Sequence, residues 1–333
     1  MVEQWLDITT AQWVDDNTFQ WYIETAGAEG LNCIWTDDAY VYAATSEGLD
    51  IVDVASELKV SWDTSRAYTA VWANEASVYL GTSGQGIKIL LKSSIAPGDV
   101  GGFVTDYLNA PVIQSDEIVN LHGSGPTLMA CTSASVEIIR MESNYITRHS
   151  VEGSKKCFVT ETDKFYYLVS DAGSCSLSRL DGNFYDWVDA NETYTTGSRV
   201  LIDSGEINDF FVTSGTSISG ALYNTLFVAT TSGIYVFDEG SDDHFSLSCV
   251  SCGGPSDYKI IGGSSINYAS VWAEEYSGTY VGKLYVATAG VGAALSVVNL
   301  ETKELVDCYS ENVEGRSGDL LEGNDIHNLN VKG

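Results

Sequence analysis

The sequence is short of positive charge, of proline and of histidine. Against 46 Asp and Glu it carries 16 Lys and Arg, a formal net charge of −30. A polyanion of that strength is repelled by phosphate backbones, so DNA and RNA are not expected partners. No run approaches the roughly 20 apolar residues that cross a bilayer, and no membrane span is expected. The opening Met1–Asp7 lacks the basic and apolar regions of a classical signal peptide, which makes virion or cytoplasm the expected location. With 4 prolines and no charged run, nothing resembles an interdomain linker, and residues 1–333 are expected to form one domain. Hydrophobic residues, at 44%, are plentiful enough to exclude wholesale disorder.

Cysteine is present in a number that does not suit a disulfide framework: there are 7, an odd count in a long chain without a signal. Cys249 and Cys252 make one C-x-x-C, but a structural zinc site needs a second pair or two histidines at metal spacing. His244 lies near and no fourth ligand follows, so ordinary thiols are expected. No cofactor is expected.

What the chain does have is repetition. An apolar run, a small residue, Thr or Ser, a Gly-containing turn and a second alternating run recur. They appear as Tyr40–Val52, Val78–Ile89, Leu226–Phe237 and Leu284–Thr288, with weaker copies at Thr132 and Ser170. Alternation of β-branched and aromatic residues around a Gly turn predicts a hairpin. Upstream of each lies a further short strand: Leu31–Trp35, Tyr68–Trp72, Ile118–His122, Cys157–Val159, Ile207–Phe211 and Ile266–Ser270. An outer strand such as Leu58–Trp62 completes a four-stranded unit. Units of that kind at roughly 40–50 residues are the sequence signature of a β-propeller.

The last segment, Asp325–Val331, reads as a seventh inner strand with nothing after it to complete a blade. Strand-like pieces at 4–9 and 18–25 precede the first full unit. A composite closing blade from residues 1–29 and 325–333 would join the ends and leave no open edge. The expectation is an all-β, seven-bladed propeller of antiparallel strands, with six blades as the alternative. The hairpins Tyr40–Asp53 and Leu226–Asp238 resemble the blades of the broad YVTN/LVIVD-like seven-bladed propellers. That resemblance implies a fold; propellers host enzymes, scaffolds and virion parts alike.

Catalytic motifs are sparse. Asp15-Asp16, Asp37-Asp38, Asp242-Asp243 and Glu274-Glu275 fall where turns are expected and read as solvated turn acids. Asp238, Asp242 and Asp243 form the densest oxygen-rich stretch and are the weak calcium candidates, without the spacing of an EF-hand loop. His122, His149, His244 and His327 lie in separate units, none beside a nucleophile motif. Most of the Trp and Tyr residues are expected in sheet interfaces. The connections after the fifth and sixth inner strands, 213–221 and 274–282, are longer than their counterparts. They are expected to be loops carrying a partner-binding patch, with Ser214, Thr216, Ser217, Glu274, Glu275, Tyr276 and Tyr280 as its residues.

Taken together, these features point to a non-enzymatic interaction or structural module, with an accessory virion role (capsid or tail) and protein partners favoured. The alternative is a carbohydrate-directed lyase or hydrolase with its site at the mouth of the central channel.

Overall fold

The computed structural model describes residues 30–160 apart from 38 and 57, and beyond them the strand segments between 165 and 309. The proposed closing pieces, 1–29 and 325–333, lie outside the described residues. So do Asp15, Asp16, Asp38 and the C-x-x-C.

Strands dominate, and among the described residues they form six sheets, each built on a four-stranded antiparallel meander. Sheet 1 holds β1 (Leu31–Thr36), β2 (Tyr40–Thr45), β3 (Leu49–Asp53) and β4 (Leu58–Asp63). Sheet 2 holds β5 (Ala70–Ala73), β6 (Ser77–Gly81), β7 (Ile87–Leu91) and β9 (Thr105–Leu108). Between β7 and β9, the short β8 (Gly98–Asp99) runs parallel to β4 and covers the outer edge of sheet 1. Sheet 3 is β10 (Ile118–Ser124), β11 (Thr127–Thr132), β12 (Ser135–Arg140) and β13 (Tyr145–Ser150). Sheet 4 is β14 (Ser154–Val159), β15 (Phe165–Asp171), β16 (Ser174–Asp181) and β17 (Gly197–Asp203). Sheet 5 is β18 (Ile207–Val212), β19 (Thr225–Thr230), β20 (Gly233–Asp238) and β21 (His244–Ser246). Sheet 6 is β22 (Ile266–Tyr276), β23 (Thr279–Thr288), β24 (Leu295–Asn299) and β25 (Glu304–Tyr309). All six hairpin units expected from the sequence are present.

The strand sequences show why the sheets stack. The middle strands TLMACT and YVYAAT are buried nearly end to end, because both faces of a middle strand meet a neighbouring sheet. Outer strands such as LKVSWD alternate between exposed and buried. Neighbouring residues of one strand therefore enter different cores. Val71 and Ala73 pack with Tyr42, Leu49 and Leu80 between sheets 1 and 2. Ala70 and Trp72 pack with Ile118, Leu121 and Leu128 between sheets 2 and 3. A third core, with Met129, Cys131, Cys157 and Phe165, lies between sheets 3 and 4. The inner strands follow one another in chain order: β5 packs on β1, β10 on β5, β14 on β10, β18 on β14 and β22 on β18.

The recurring threonine has a structural role. Thr45 Oγ1 accepts the N–H of Gly48 at 2.9 Å, and Thr82 Oγ1 accepts that of Gln85 at 2.9 Å. Thr132 Oγ1 accepts that of Ser135 at 3.0 Å. Each hydroxyl closes the turn after the second strand. The same residues join successive sheets through their carbonyls: Tyr68 N–H donates to Thr45 O at 2.9 Å and Ile118 N–H to Thr82 O at 2.8 Å. At the next seam the Ser154 hydroxyl donates to Thr132 O at 2.6 Å. Gly86 completes the second turn at φ +69°, where a Cβ would sit 2.2 Å from the Leu108 carbonyl. In sheet 4 the register moves by one: Val169, not Ser170, stands opposite Ser154, and pairing continues to Asp171 opposite Ser174.

Candidate functional site

Five of the six inner strands carry a register shift near their start, at Leu31/Cys33, Ile118/Asn120, Ser154/Lys156, Ile207/Asp209 and Ile266/Tyr268. Such a bulge re-aims the residues that follow it. It also leaves edge groups needing partners, and side chains of the preceding sheet supply several. Asn32 Nδ2 donates to Tyr68 O at 2.7 Å, and Thr69 Oγ1 to Ile118 O at 2.5 Å. Asn120 Oδ1 accepts the Cys157 N–H at 3.1 Å, and His122 Nδ1 accepts that of Val159 at 3.2 Å.

One register position is aromatic in five consecutive sheets. It holds Trp35 opposite Tyr42, Trp72 opposite Tyr79 and His122 opposite Met129. It continues with Phe158 opposite Tyr166 and Phe211 opposite Phe227. Four of these rings form one chain of contacts. Trp35 and Trp72 have centroids 6.1 Å apart, Trp35 meets His122 edge-on at 5.7 Å, and His122 stacks on Phe158 at 3.9 Å. Trp35 of sheet 1 thus touches His122 of sheet 3 past Trp72 of sheet 2, so the rings converge where the inner strands meet. Gly123 makes this possible: a Cβ there would lie 2.5 Å from the Trp72 ring.

The electrostatics around the cluster are quiet. Burial, with a smaller push from the Lys156 charge, lowers the His122 pKa to about 3, so the ring is neutral and Nε2 carries its proton. Lys156 pairs with Asp209 and lies over the Phe210 ring at 5.7 Å. Burial raises the Cys33 thiol, and it raises Cys157 well above its usual value, with Cys131 beside it adding to the effect. These are protonated, unreactive thiols. His149 is held down by burial, with the Tyr167 hydroxyl 3.0 Å from its Nε2.

The expected partner-binding residues fare differently. Ser214, Thr216 and Ser217 lie outside the described residues. Glu274, Glu275, Tyr276 and Tyr280, expected in a loop, belong instead to paired strands. Glu274 stands opposite Val281, Glu275 opposite Tyr280 and Tyr276 opposite Thr279. The physical reason is the alternating, β-prone Thr279-Tyr280-Val281, which continues the ladder almost to Gly278. By register Trp272 matches Ser124, the last residue of β10 in sheet 3, so β22 runs four residues further, about 13 Å at strand rise. In a meander the first and third connections share a face, so this hairpin projects from the face nearer the aromatic cluster. Of the calcium candidates, Asp238 ends β20 opposite Thr225, and Asp242 and Asp243 lie outside the described residues. Asp37 does sit in a turn, as expected, but it is not simply solvated. It accepts N–H groups of Ala39 and Tyr40 at 2.8 Å and the Tyr42 hydroxyl at 3.0 Å, and it pairs with Lys92. His244 lies in β21, and His327 lies outside the described residues.

No protein-family model matches the sequence, and no curated protein does. Solved structures do match. The extracellular domain of the hybrid two-component system BT3049 from B. thetaiotaomicron aligns with a TM-score of 0.55 and 14% identity. The alignment covers 92% of this chain, which spans only 38% of that one. The computationally designed Ika8 protein aligns over 91% of both chains, with a TM-score of 0.52 and 11% identity. The WD40 β-propeller domain of Doa1 aligns over 84% of this chain and 81% of its own, with a TM-score of 0.51 and 9% identity. At these identities the likeness carries the fold alone. The chain is an all-β protein of the β-propeller class, and its sheets are called blades below.

Among the described residues no helix is long and apolar enough to cross a membrane. The aromatic position was visible in the sequence as Trp35, Trp72, His122 and Phe158. It looked like core packing there because the pairing register that aligns the four is a backbone feature.

Proposed function

We propose that the protein is a non-enzymatic interaction module, acting as an accessory component of a virus particle in its capsid or tail. The observation that carries the module reading is the β22–β23 hairpin, which extends about 13 Å beyond its counterpart β10–β11 in blade 3 on one face of a stacked scaffold. A paired hairpin presents contacts at low ordering cost, and a rigid frame beneath it fixes their direction. High negative charge suits an assembly component that must avoid packaged nucleic acid.

Shortening the hairpin to the length of β10–β11, by replacing residues 273–282 with Asn-Gly so that Trp272 still faces Lys283, tests the module reading. Loss of co-purification with the partner, with unchanged thermal unfolding, is the expected result. Retained partner binding overturns it. Labelling of purified particles viewed by electron microscopy tests the virion role, and a protein found only free in the host cytosol ends it.

A further inference from the structure

Among the described residues two buried side-chain polar atoms have no hydrogen-bond partner, and both are in the aromatic cluster: Nε1 of Trp35 and Nε1 of Trp72. Buried indole N–H groups ordinarily find an acceptor, and one left without costs about 1–3 kcal/mol. Trp72 is 3% exposed and its ring rests against Gly123. Trp35 is only partly buried, so its ring is the accessible member of the pair. The neutral His122 adds a third donor to the same group of rings, because its Nδ1 is occupied as an acceptor for the Val159 N–H. Three N–H donors and several π-faces thus belong to one group of rings where four inner strands meet.

We propose that this cluster binds a small, flat, uncharged molecule bearing a carbonyl oxygen, an aromatic or cyclic amide. The rings take its body by stacking, and the Trp35 and Trp72 indoles donate to its oxygen. The charge state follows from the surroundings. Lys156, the cation on the neighbouring inner strand, is committed to Asp209, so no free positive charge replaces the water that a carboxylate would lose. The net charge of −30 opposes an anion further. The site is independent of the hairpin surface: it needs no partner protein, and the rings that make it lie on β1, β5, β10 and β14.

The test uses the full chain with its 8 tryptophans labelled at the indole nitrogen, titrated with benzamide and, in parallel, with the isosteric benzoate. Trp35→Phe and Trp72→Phe assign the two signals. Benzamide is expected to move both indole N–H resonances saturably while the Trp62 signal on the outer strand β4 stays in place. Benzoate is expected to move neither. Trp72→Phe keeps the ring and removes the donor, and is expected to weaken benzamide binding about fivefold. Should that variant fail to fold, Trp35→Phe, at the more exposed position, carries the same expectation. Unmoved signals, equal shifts with benzoate, or a uniform drift of every tryptophan signal overturn the proposal and leave the cluster as a sealed plug.

Discussion

The seam between blades 1 and 2 and the seam between blades 3 and 4 have the same topology and are closed by different chemistry. The first is ionic. Asp63, fully buried, accepts the Tyr68 hydroxyl and the Ser65 N–H at 2.7 Å. Nearby, Asp37 gathers Lys92, the Tyr42 hydroxyl and two N–H groups. The second seam is closed at its inner edge by neutral groups, where Asn120 and His122 accept the N–H groups of Cys157 and Val159. Both solve one problem, which is that the edge of a stacked sheet has backbone groups that water cannot reach. A carboxylate makes stronger, charge-assisted bonds, whereas a neutral acceptor is weaker and fails at a different pH.

That contrast can be broken at its strongest point first. Replacing Asp63 with Ala strands the Tyr68 hydroxyl in the core and takes the acceptor from the Ser65 N–H at its edge, and a loss of about 3 kcal/mol is expected in urea unfolding. Gly123→Ala, at the seam between blades 2 and 3, drives a methyl into the Trp72 ring. It should cost about 2 kcal/mol and change the near-ultraviolet dichroism of the tryptophans. His122→Phe preserves the stack on Phe158 but removes the acceptor for the Val159 N–H, for an expected loss of about 1.5 kcal/mol at neutral pH. Lys92→Met leaves Asp37 its other donors and is expected to cost about 1 kcal/mol.

Acid separates the two seams. The folded His122 pKa, about 3, lies below its ordinary 6.5, so the unfolded chain takes up the proton first. Its stabilising contribution is complete above pH 6.5 and declines as pH falls from there towards 3. For Asp37, burial works to raise the carboxyl, but the Lys92 ammonium and the Tyr40 and Ala39 N–H groups outweigh it and hold it below 3.8. Its contribution therefore persists until pH falls beneath 3.8. Hydrogen exchange, corrected for intrinsic rates, is expected to show the Val159 amide losing protection before the Tyr40 amide on acidification. His122→Phe should abolish the earlier loss. Simultaneous loss at both amides would erase the distinction drawn between the seams.

Much of this fold was legible in the sequence because its information is local. Period-two alternation around Thr45-Ser46-Glu47-Gly48 and Thr82-Ser83-Gly84-Gln85-Gly86 encodes a hairpin whatever surrounds it. The inner strands were equally visible as short apolar runs at fixed offsets. The length of the sixth hairpin was not, since Glu274, Glu275 and the Ser277-Gly278 pair mimic a loop. Only the register shows Glu274 opposite Val281. The aromatic cluster was hidden for a related reason. Trp35, Trp72, His122 and Phe158 each alternate as core residues should, and nothing in a single strand says that four strands converge.

The sequence by itself determined the strand content, the order of the units and the turn chemistry, because alternation and hydroxyl-closed turns act over a handful of neighbouring residues. Tertiary structure alone decided which groups meet between sheets. Trp35 reaches His122 across 87 positions of sequence, and the Val159 N–H is bonded by a ring 37 residues away. Such meetings depend on bulges and on the stacking of whole sheets, which are collective properties of the packed chain.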